Sequence, residues 1–418
     1  MEKVDVMILG AGIAGLGAAK KALDIGRTSK IFEAKDSGGG LLDNFNINGF
    51  RFDNAVHLSF AQEPEVRAIF DQTPFWTHPA DSKCFDKDIW LKHPVQNNLF
   101  PLAPQEKVEL IESFLARPEN QAEDYESWLR HQYGDKIAER YPLGYTKKYW
   151  GTEARDLSTT WIGNRMRRAE IGEILYGAFT ADTPNTYYTK EMRYPKHGGF
   201  KQFIKPLLDS ADIQLNFSAT FIDPVEKVVC FNNETKVSYN KLVSTLPLPH
   251  FIEICAGVPA EVIAAAEKLD ATSVDLISVG FNKPLIVDLW FYIYDEDIFA
   301  SRAYSPSVKS PDSVPAGCSS LQFEIYQRGK AELLDPELLK ENTLMAIEKM
   351  GIAKREDIVL IHHKRLPYGN VIFDKNMENN RALVREFIQR ADVASCGRFG
   401  EWDYLWSNQS FLSGYNSL

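Results

Sequence analysis

A short, mostly apolar run, Val4-Asp5-Val6-Met7-Ile8-Leu9, leads directly into Gly10-Ala11-Gly12-Ile13-Ala14-Gly15. No other feature constrains the fold as strongly. The run reads as a buried parallel strand, and the spacing predicts a helix from about Gly12 to Ile25. Gly10 permits a tight turn, Gly12 lets backbone approach a pyrophosphate, and Gly15 lets the helix pack on the strand. The free N–H groups and the dipole of the helix N-terminus favour negative charge there. Ser29–Glu33 reads as the next strand, and Glu33 at its end is placed to accept from a ribose hydroxyl. Together with Ala14, these residues form a candidate dinucleotide site.

The remaining pattern divides the chain. From about Glu63 to Met192 it is mostly helical, with Gln105–Leu115 and Asp124–Tyr133 showing apolar residues at helical spacing. Ile213–Phe217, Thr220–Ile222 and Val228–Phe231 read as hairpin strands, and Leu242–Leu246 as a buried strand. Residues 275–366 alternate as an antiparallel sheet would, interrupted by a helix near Pro336–Met350. A helix at about Arg381–Arg390 and a short strand Val393–Cys396 precede Gly397-Arg398. The expectation is an α/β protein with a discontinuous Rossmann-like cofactor domain (1–75, 193–250 and 385–418). A mainly helical insertion (76–192) and an antiparallel-sheet domain (251–384) would carry the substrate site. The stretch Ser305–Gly317, rich in Ser and Pro, is a candidate mobile loop.

Charge and cysteine usage exclude other classes. A net charge of −10 disfavours nucleic acid, which wants a basic face. An anionic substrate would need a few placed arginines to overcome that field. Five scattered cysteines argue against a disulfide framework and against a metal site. No apolar run is long enough to span a membrane, and the charged N-terminus lacks the apolar stretch of a signal peptide. A cytoplasmic setting is expected.

After Glu33 comes a second glycine cluster, Gly38-Gly39-Gly40-Leu41. Flavoproteins of the amine oxidase type carry a Gly-Gly there, which points to FAD. Several further segments extend the likeness. They include Phe52-Asp53-Asn54-Ala55-Val56-His57, Pro94-Val95-Gln96-Asn97-Asn98, Trp150 with Trp161-Ile162-Gly163-Asn164-Arg165, and Tyr194-Pro195 before Gly198-Gly199. Trp290 and Tyr292 ahead of Arg302 fit as well, as does Gly397-Arg398-Phe399-Gly400 followed by Trp402, Tyr404, Asn408 and Gln409. In these the chain resembles the UDP-galactopyranose mutases, more their eukaryotic branch, within the amine oxidase and protoporphyrinogen oxidase superfamily.

The resemblance implies a redox-neutral pyranose–furanose interconversion of a nucleoside-diphosphate sugar, in cell-surface polysaccharide biosynthesis. Reduced FAD would act through its N5 as nucleophile at the anomeric carbon, with NADH or NADPH as possible electron donor. Arg165 and Arg302 match two arginines that grip the diphosphate, a task that suits guanidinium forks. Tyr292, Tyr404, Asn408 and Trp161 map to the substrate side, and Gln96 and Phe60 towards the nucleotide. His57 maps beside the flavin. Gly39, Gly40, Leu41, Gly397, Arg398 and Gln409 map to the cofactor. Read from the residues alone, alternatives stay open: Tyr292 and Tyr404 as core tyrosines, Gln96 in a turn, His57 as a packed histidine, Arg398 at the surface, and Arg167 and Arg168 on a solvated helix face. The oligomeric state is open.

The chain also departs from the family. Lys309 and Asn370 stand where it has tyrosines at the diphosphate, Thr146 where it has an asparagine, and Ala55-Val56 where it has a glycine pair. Lys and Asn still donate to phosphate, so both are expected substrate ligands. Ala55 and Val56 add bulk where the flavin would approach. A true oxidoreductase of the same superfamily is the competing reading.

Overall fold

Strand β1 (Glu2–Leu9) and strand β2 (Ser29–Glu33) pair in parallel, joined by helix α1 (Ile13–Asp24). The structure is a computed structural model and describes residues 1–119, 122–163, 166, 169–185 and 191–418. Val6 to Leu9 are buried, as a strand covered on both faces requires.

Three distant parts of the chain complete this sheet. Lys236–Ser244 lies parallel to β1 on its other side. Val393–Ser395 pairs in parallel with its last residues, Leu242–Ser244. Ile213–Leu215 extends the sheet in parallel beyond β2, and the hairpin Ala219–Asp223/Val228–Phe231 pairs antiparallel with the first residues of 236–244. The α/β class and the Rossmann-like sheet are therefore as expected. The segment 213–217 was expected in a hairpin; its strand instead pairs in parallel with β2.

A second sheet runs in the order 358–366, 272–281, 319–328, 302–304, 290–293, 83–86, 89–92. It is antiparallel except where Trp290–Ile293 meets Lys83–Asp86. Two of its strands thus come from a region read as helical. Lys83–Asp86 and Ile89–Lys92 form a hairpin whose turn residues, Lys87 and Asp88, both have positive φ (48° and 65°). A two-residue turn of this kind favours Asn-Gly or Asp-Gly, and neither signal is present. Phe75–His78 is also strand, paired with Met192–Pro195. The expected helices at Pro104–Leu115 and Tyr125–Tyr133 do form. Asp124 caps the second by accepting from the Ser127 N–H at 2.9 Å, the N-cap role its side chain suits.

The stretch 305–317, expected to be a mobile loop, is anchored. It contains a short helix, Pro306–Lys309. Ser305, Lys309, Ser310 and Ser313 are buried, and Arg51 forms an ion pair with Asp312 at 2.5 Å.

The chain ends meet through glycine. The last helix, Ser407–Tyr415, lies against α1. A Cβ at Gly414 would fall 1.8 Å from the Ala14 carbonyl oxygen, and one at Gly17 would fall 2.4 Å from that of Phe411. Backbone approach this close excludes any side chain. Gly414→Ala is expected to destabilise the protein by about 1–3 kcal/mol through overpacking, measured by denaturant unfolding. Gly172→Ala, where an added Cβ meets nothing within 4 Å, is the control. Equal midpoints for the two variants would refute this account of the contact.

Candidate functional site

The cradle is built as the glycine spacing requires. Gly10 has φ 101°, and a Cβ there would lie 2.2 Å from Thr245 Oγ1. A Cβ at Gly15 would lie 2.0 Å from the Gly10 carbonyl oxygen. Gly12 faces open space, with nothing within 4 Å of an added Cβ. The second glycine cluster closes on the first. Gly39 N–H donates to Ala11 O at 2.8 Å, and a Cβ at Gly40 would sit 3.1 Å from Gly12 Cα. Leu41 follows in the short turn Gly40–Leu42, half-buried. Glu33 is buried and accepts from the Ala11 N–H at 2.8 Å and the Lys35 N–H at 3.0 Å. Its carboxylate is thereby oriented, with lone pairs left for a hydroxyl.

Two buried polar atoms around this cradle have no partner, Asn54 Oδ1 and Arg398 Nε. Orphaned groups beside an open glycine turn suit a ligand rich in donors and acceptors along its length, as a dinucleotide is. Asn54 hangs from the cradle itself, its Nδ2 donating to Gly40 O at 3.3 Å. Gly397 closes the far side at φ 81°, where a Cβ would lie 2.6 Å from the Ala14 methyl. Ala14, expected at the cofactor, uses its side chain for this packing. Gln409, expected there too, caps its own helix: its Oε1 accepts from the Trp406 N–H at 2.9 Å.

Beside the cradle lies an aromatic chamber. Helix Gly144–Trp150 carries Tyr145, Tyr149 and Trp150 at spacings that place all three on neighbouring faces. Tyr145 and Tyr149 stack at 5.6 Å, Trp150 packs on Trp161 at 4.9 Å and on Tyr404 at 5.6 Å, and Tyr292 meets Tyr145 edge-on at 5.7 Å. The hydroxyls of Tyr149 and Tyr404 are hydrogen-bonded at 2.8 Å. Burial, the leading cause, pushes the pKa of Tyr145, Tyr326 and Tyr404 above the ordinary phenol value, so these hydroxyls remain protonated donors at neutral pH.

Two guanidinium groups bracket this pair. Arg302 lies over the Tyr149 ring at 5.3 Å. Its Nε donates to Glu324 Oε2 at 2.5 Å and its Nη2 to the Tyr326 hydroxyl at 3.0 Å. Burial, the largest single influence, works against its charge, but the Glu324 carboxylate together with Tyr326, Tyr149 and Tyr145 holds the pKa well above the ordinary value. Arg398 lies over the Tyr404 ring at 4.6 Å. Expected at the cofactor diphosphate, it donates through Nη2 to Asn370 Oδ1 at 2.7 Å and through Nη1 to Leu405 O at 3.2 Å, with Nε left over.

Arg302, Tyr292, Trp161, Asn370 and Tyr404 thus lie around one cluster of aromatic rings. Asn370 is buried and holds Arg398 rather than facing the chamber as a free donor. Arg165 lies outside the described residues, as do Asn164, Arg167 and Arg168. Gln96 sits half-buried in the turn Val95–Asn97. Phe60 meets Trp406 edge-on at 4.6 Å, and Asn408 donates to Glu63 Oε1 at 2.8 Å. Thr146 bonds back to Pro142 O at 2.6 Å.

Lys309, expected as a diphosphate ligand, is engaged inside the protein. It is fully buried, paired with Asp53 Oδ2 at 2.6 Å and enclosed by the rings of Tyr194 and Tyr304 at 4.3 and 4.2 Å. Val56, expected to crowd a flavin, packs instead with Met192, Leu289, Trp290 and Tyr304. Ala55 takes φ 73°, a conformation that favours glycine. His57 Nδ1–H donates to Ala55 O at 3.1 Å, leaving Nε2 as the acceptor. Sequence pattern does not single out Glu324, Tyr149, Tyr326 or Asn54 as functional residues. The one signal for Glu324 is a carboxylate inside the otherwise uncharged run Ser319–Tyr326.

Comparison with known proteins agrees with this architecture. Residues 8–73 match the model of the NAD(P)-binding Rossmann-like domain. The whole chain superposes on a reduced UDP-galactopyranose mutase with TM-score 0.94, covering 100% of this chain and 93% of that one at 24% identity. A putative protoporphyrinogen oxidase from Exiguobacterium sp. 255-15 superposes with TM-score 0.75 at 16% identity, covering 99% and 97% of the two chains. These likenesses show the fold. Protoporphyrinogen oxidase 2 of Arabidopsis thaliana is 29% identical over 108 residues, which is 26% of this chain and 20% of the plant protein. The chain therefore matches about a fifth of that relative's length.

Two predictions follow the buried charges. Lys309→Met leaves Asp53 buried and uncompensated, and is expected to lower stability by about 3–5 kcal/mol in chemical denaturation. A loss below 1 kcal/mol would show the pair to be dispensable. Burial lowers the His57 pKa from 6.5 to about 4. The unfolded chain takes a proton that the folded imidazole refuses, so this contribution is complete above pH 6.5 and declines as pH falls towards 4. His93, likewise lowered to about 4 by burial, adds to the same window. His57→Gln should flatten the dependence of unfolding free energy on pH between 6.5 and 4, and an unchanged slope would contradict the assignment.

Proposed function

From a fold shared end to end with a UDP-galactopyranose mutase, we propose that this chain is an FAD-dependent mutase. It would interconvert the pyranose and furanose forms of a nucleoside-diphosphate sugar. The observation that carries the reading is the chamber beside the dinucleotide cradle. There two arginines lie over a hydroxyl-linked tyrosine pair, a chemistry suited to a diphosphate.

The residues divide the work. The glycine turn and the N-terminus of α1 would hold the FAD pyrophosphate, and Glu33 a ribose hydroxyl. Asn54 and Arg398 have unmet polar atoms to offer it. When bound and reduced, the flavin supplies an electron-rich nitrogen as nucleophile for the anomeric carbon. Arg302, joined by Arg165, holds the diphosphate before and after it leaves the sugar. The Tyr149–Tyr404 pair, whose mutual hydrogen bond uses one of its two hydroxyl protons, has the other to offer the same charge, while Tyr326, whose proton goes to Glu324, steadies Arg302. Trp150 and Trp161 exclude water, which strengthens each of these interactions. His57 offers a neutral Nε2 acceptor. NADH or NADPH is the proposed source of electrons. A cytoplasmic location is part of the proposal; no helix among the described residues is long and apolar enough to cross a membrane.

A second reading, an FAD-dependent oxidoreductase, draws on the likeness to the plant and Exiguobacterium proteins. It does not account for two arginines in the chamber.

The test is to record the visible spectrum of the purified protein, reduce it with dithionite, and supply UDP-, dTDP- and GDP-sugars while following product by chromatography. Furanose isomer formed only in the reduced state is the expected result. Arg302→Lys, which loses the planar fork, should lower kcat/KM about 10- to 100-fold, the effect of about 1.5–3 kcal/mol for a hydrogen bond to a charged group. A yellow protein that binds no nucleotide but reduces dye with an amine or porphyrin would put the oxidoreductase first.

A further inference from the structure

Glu324 is fully buried in the strand Ser319–Arg328, and its two carboxylate oxygens serve two different parts of the site. Oε1 accepts from the backbone N–H of Val56 at 2.6 Å. Oε2 accepts from Arg302 Nε at 2.5 Å and from the Tyr326 hydroxyl at 2.7 Å. That hydroxyl in turn accepts from Arg302 Nη2 at 3.0 Å. One side chain therefore holds both the arginine of the chamber and the turn that leads back to the cradle.

The other end of that turn is fixed independently. Asp53 is paired with Lys309, and Asn54 donates to Gly40 O at 3.3 Å, within the second glycine cluster. Between them and Val56 stands Ala55 at φ 73°. A residue other than glycine keeps such a conformation only where its surroundings over-determine it. Here the Lys309–Asp53 pair and the Glu324 contact do so. His57, whose Nδ1–H is held by Ala55 O, follows whatever the turn does.

We propose that Glu324 is a positioning residue that couples the anion site at Arg302 to the Ala55–His57 turn beside the cofactor cradle. The ligands named for the two sites rest on the mutase reading. An anion on the outer donors of Arg302 draws the guanidinium and changes its share of Oε2. The carboxylate then shifts its grip on Val56, and Ala55, already strained, is the element that yields. Coupling is reciprocal: if loading Arg302 alters the turn against the flavin, the redox state of the flavin alters nucleotide affinity by the same factor.

The experiment uses the full-length, FAD-loaded protein and UDP as the probe. Affinity is measured by equilibrium dialysis in the oxidised state and again after dithionite reduction. Wild type is expected to differ between the two states by about fivefold or more, within the usual range of coupling. Glu324→Gln keeps the side-chain shape but has one acceptor oxygen. It should still bind UDP, with the two affinities within about twofold of each other, since the link and not the site is lost. A merely structural role would lower both affinities and leave their ratio. A wild-type ratio in Glu324→Gln overturns the proposal. A wild-type protein that binds UDP equally in both states overturns it while leaving the mutase reading intact. A wild-type protein that binds no UDP in either state removes that reading, and the proposal with it. Should Glu324→Gln fail to retain FAD, Tyr326→Phe, which removes one hydrogen bond each from Glu324 and Arg302, is read the same way: a reduced ratio is expected, and an unchanged one overturns the proposal.

Discussion

The structure depends on backbone approaching backbone where no side chain would fit. Gly15 lies against the carbonyl of Gly10, Gly414 against that of Ala14, and Gly17 against that of Phe411. These contacts bring the first helix and the last into one unit, although nearly four hundred residues separate them. They also leave Gly12 facing open space at the helix N-terminus, where an anion gains from unpaired N–H groups. Loosening this packing would displace the cradle together with the short helix Gly397–Gly400.

Buried charge is the second organising element. Asp53 and Lys309 are buried on both sides of their pair, and the buried carboxylate of Glu324 meets a partly exposed Arg302. Taking such charges out of water is costly unless every lone pair and proton finds a partner. The two carboxylates are well supplied with donors, from Tyr194 and the Phe200 N–H in one case and from the Val56 N–H and Tyr326 in the other. Their value lies in position. They tie the antiparallel sheet to the segment 53–57, so the chamber and the cradle keep a fixed relation. Lys309 stands where the resembled family has a tyrosine, and its charge is spent on Asp53 instead of on a ligand.

The aromatic chamber follows from a different economy. Tyrosine and tryptophan cover large apolar area and keep one polar atom for directed bonding. Placed on a helix three to five residues apart and on facing strands, they make a dry wall in which the few arginine donors act strongly. The acidic surface of the chain makes such placement necessary for an anionic ligand.

The N-terminal strand, turn and helix were legible in the sequence because each glycine answers a local requirement. So were the position of Glu33 at the end of the second strand and the helices at 104–115 and 125–133, whereas local pattern alone leaves Tyr292 and Tyr404 as core tyrosines. Local pattern could not show the hairpin at 83–92, whose Lys-Asp turn carries no glycine, nor the parallel pairing of 213–215, which depends on β2. It could not show that Lys309 pairs with Asp53 and Arg398 with Asn370, because these partners are hundreds of residues and tens of residues away along the chain. Glu324 reads in the sequence as one acid in an apolar strand. Only the tertiary structure, by setting Val56 on one side of it and Arg302 on the other, decides that it joins the two halves of the site.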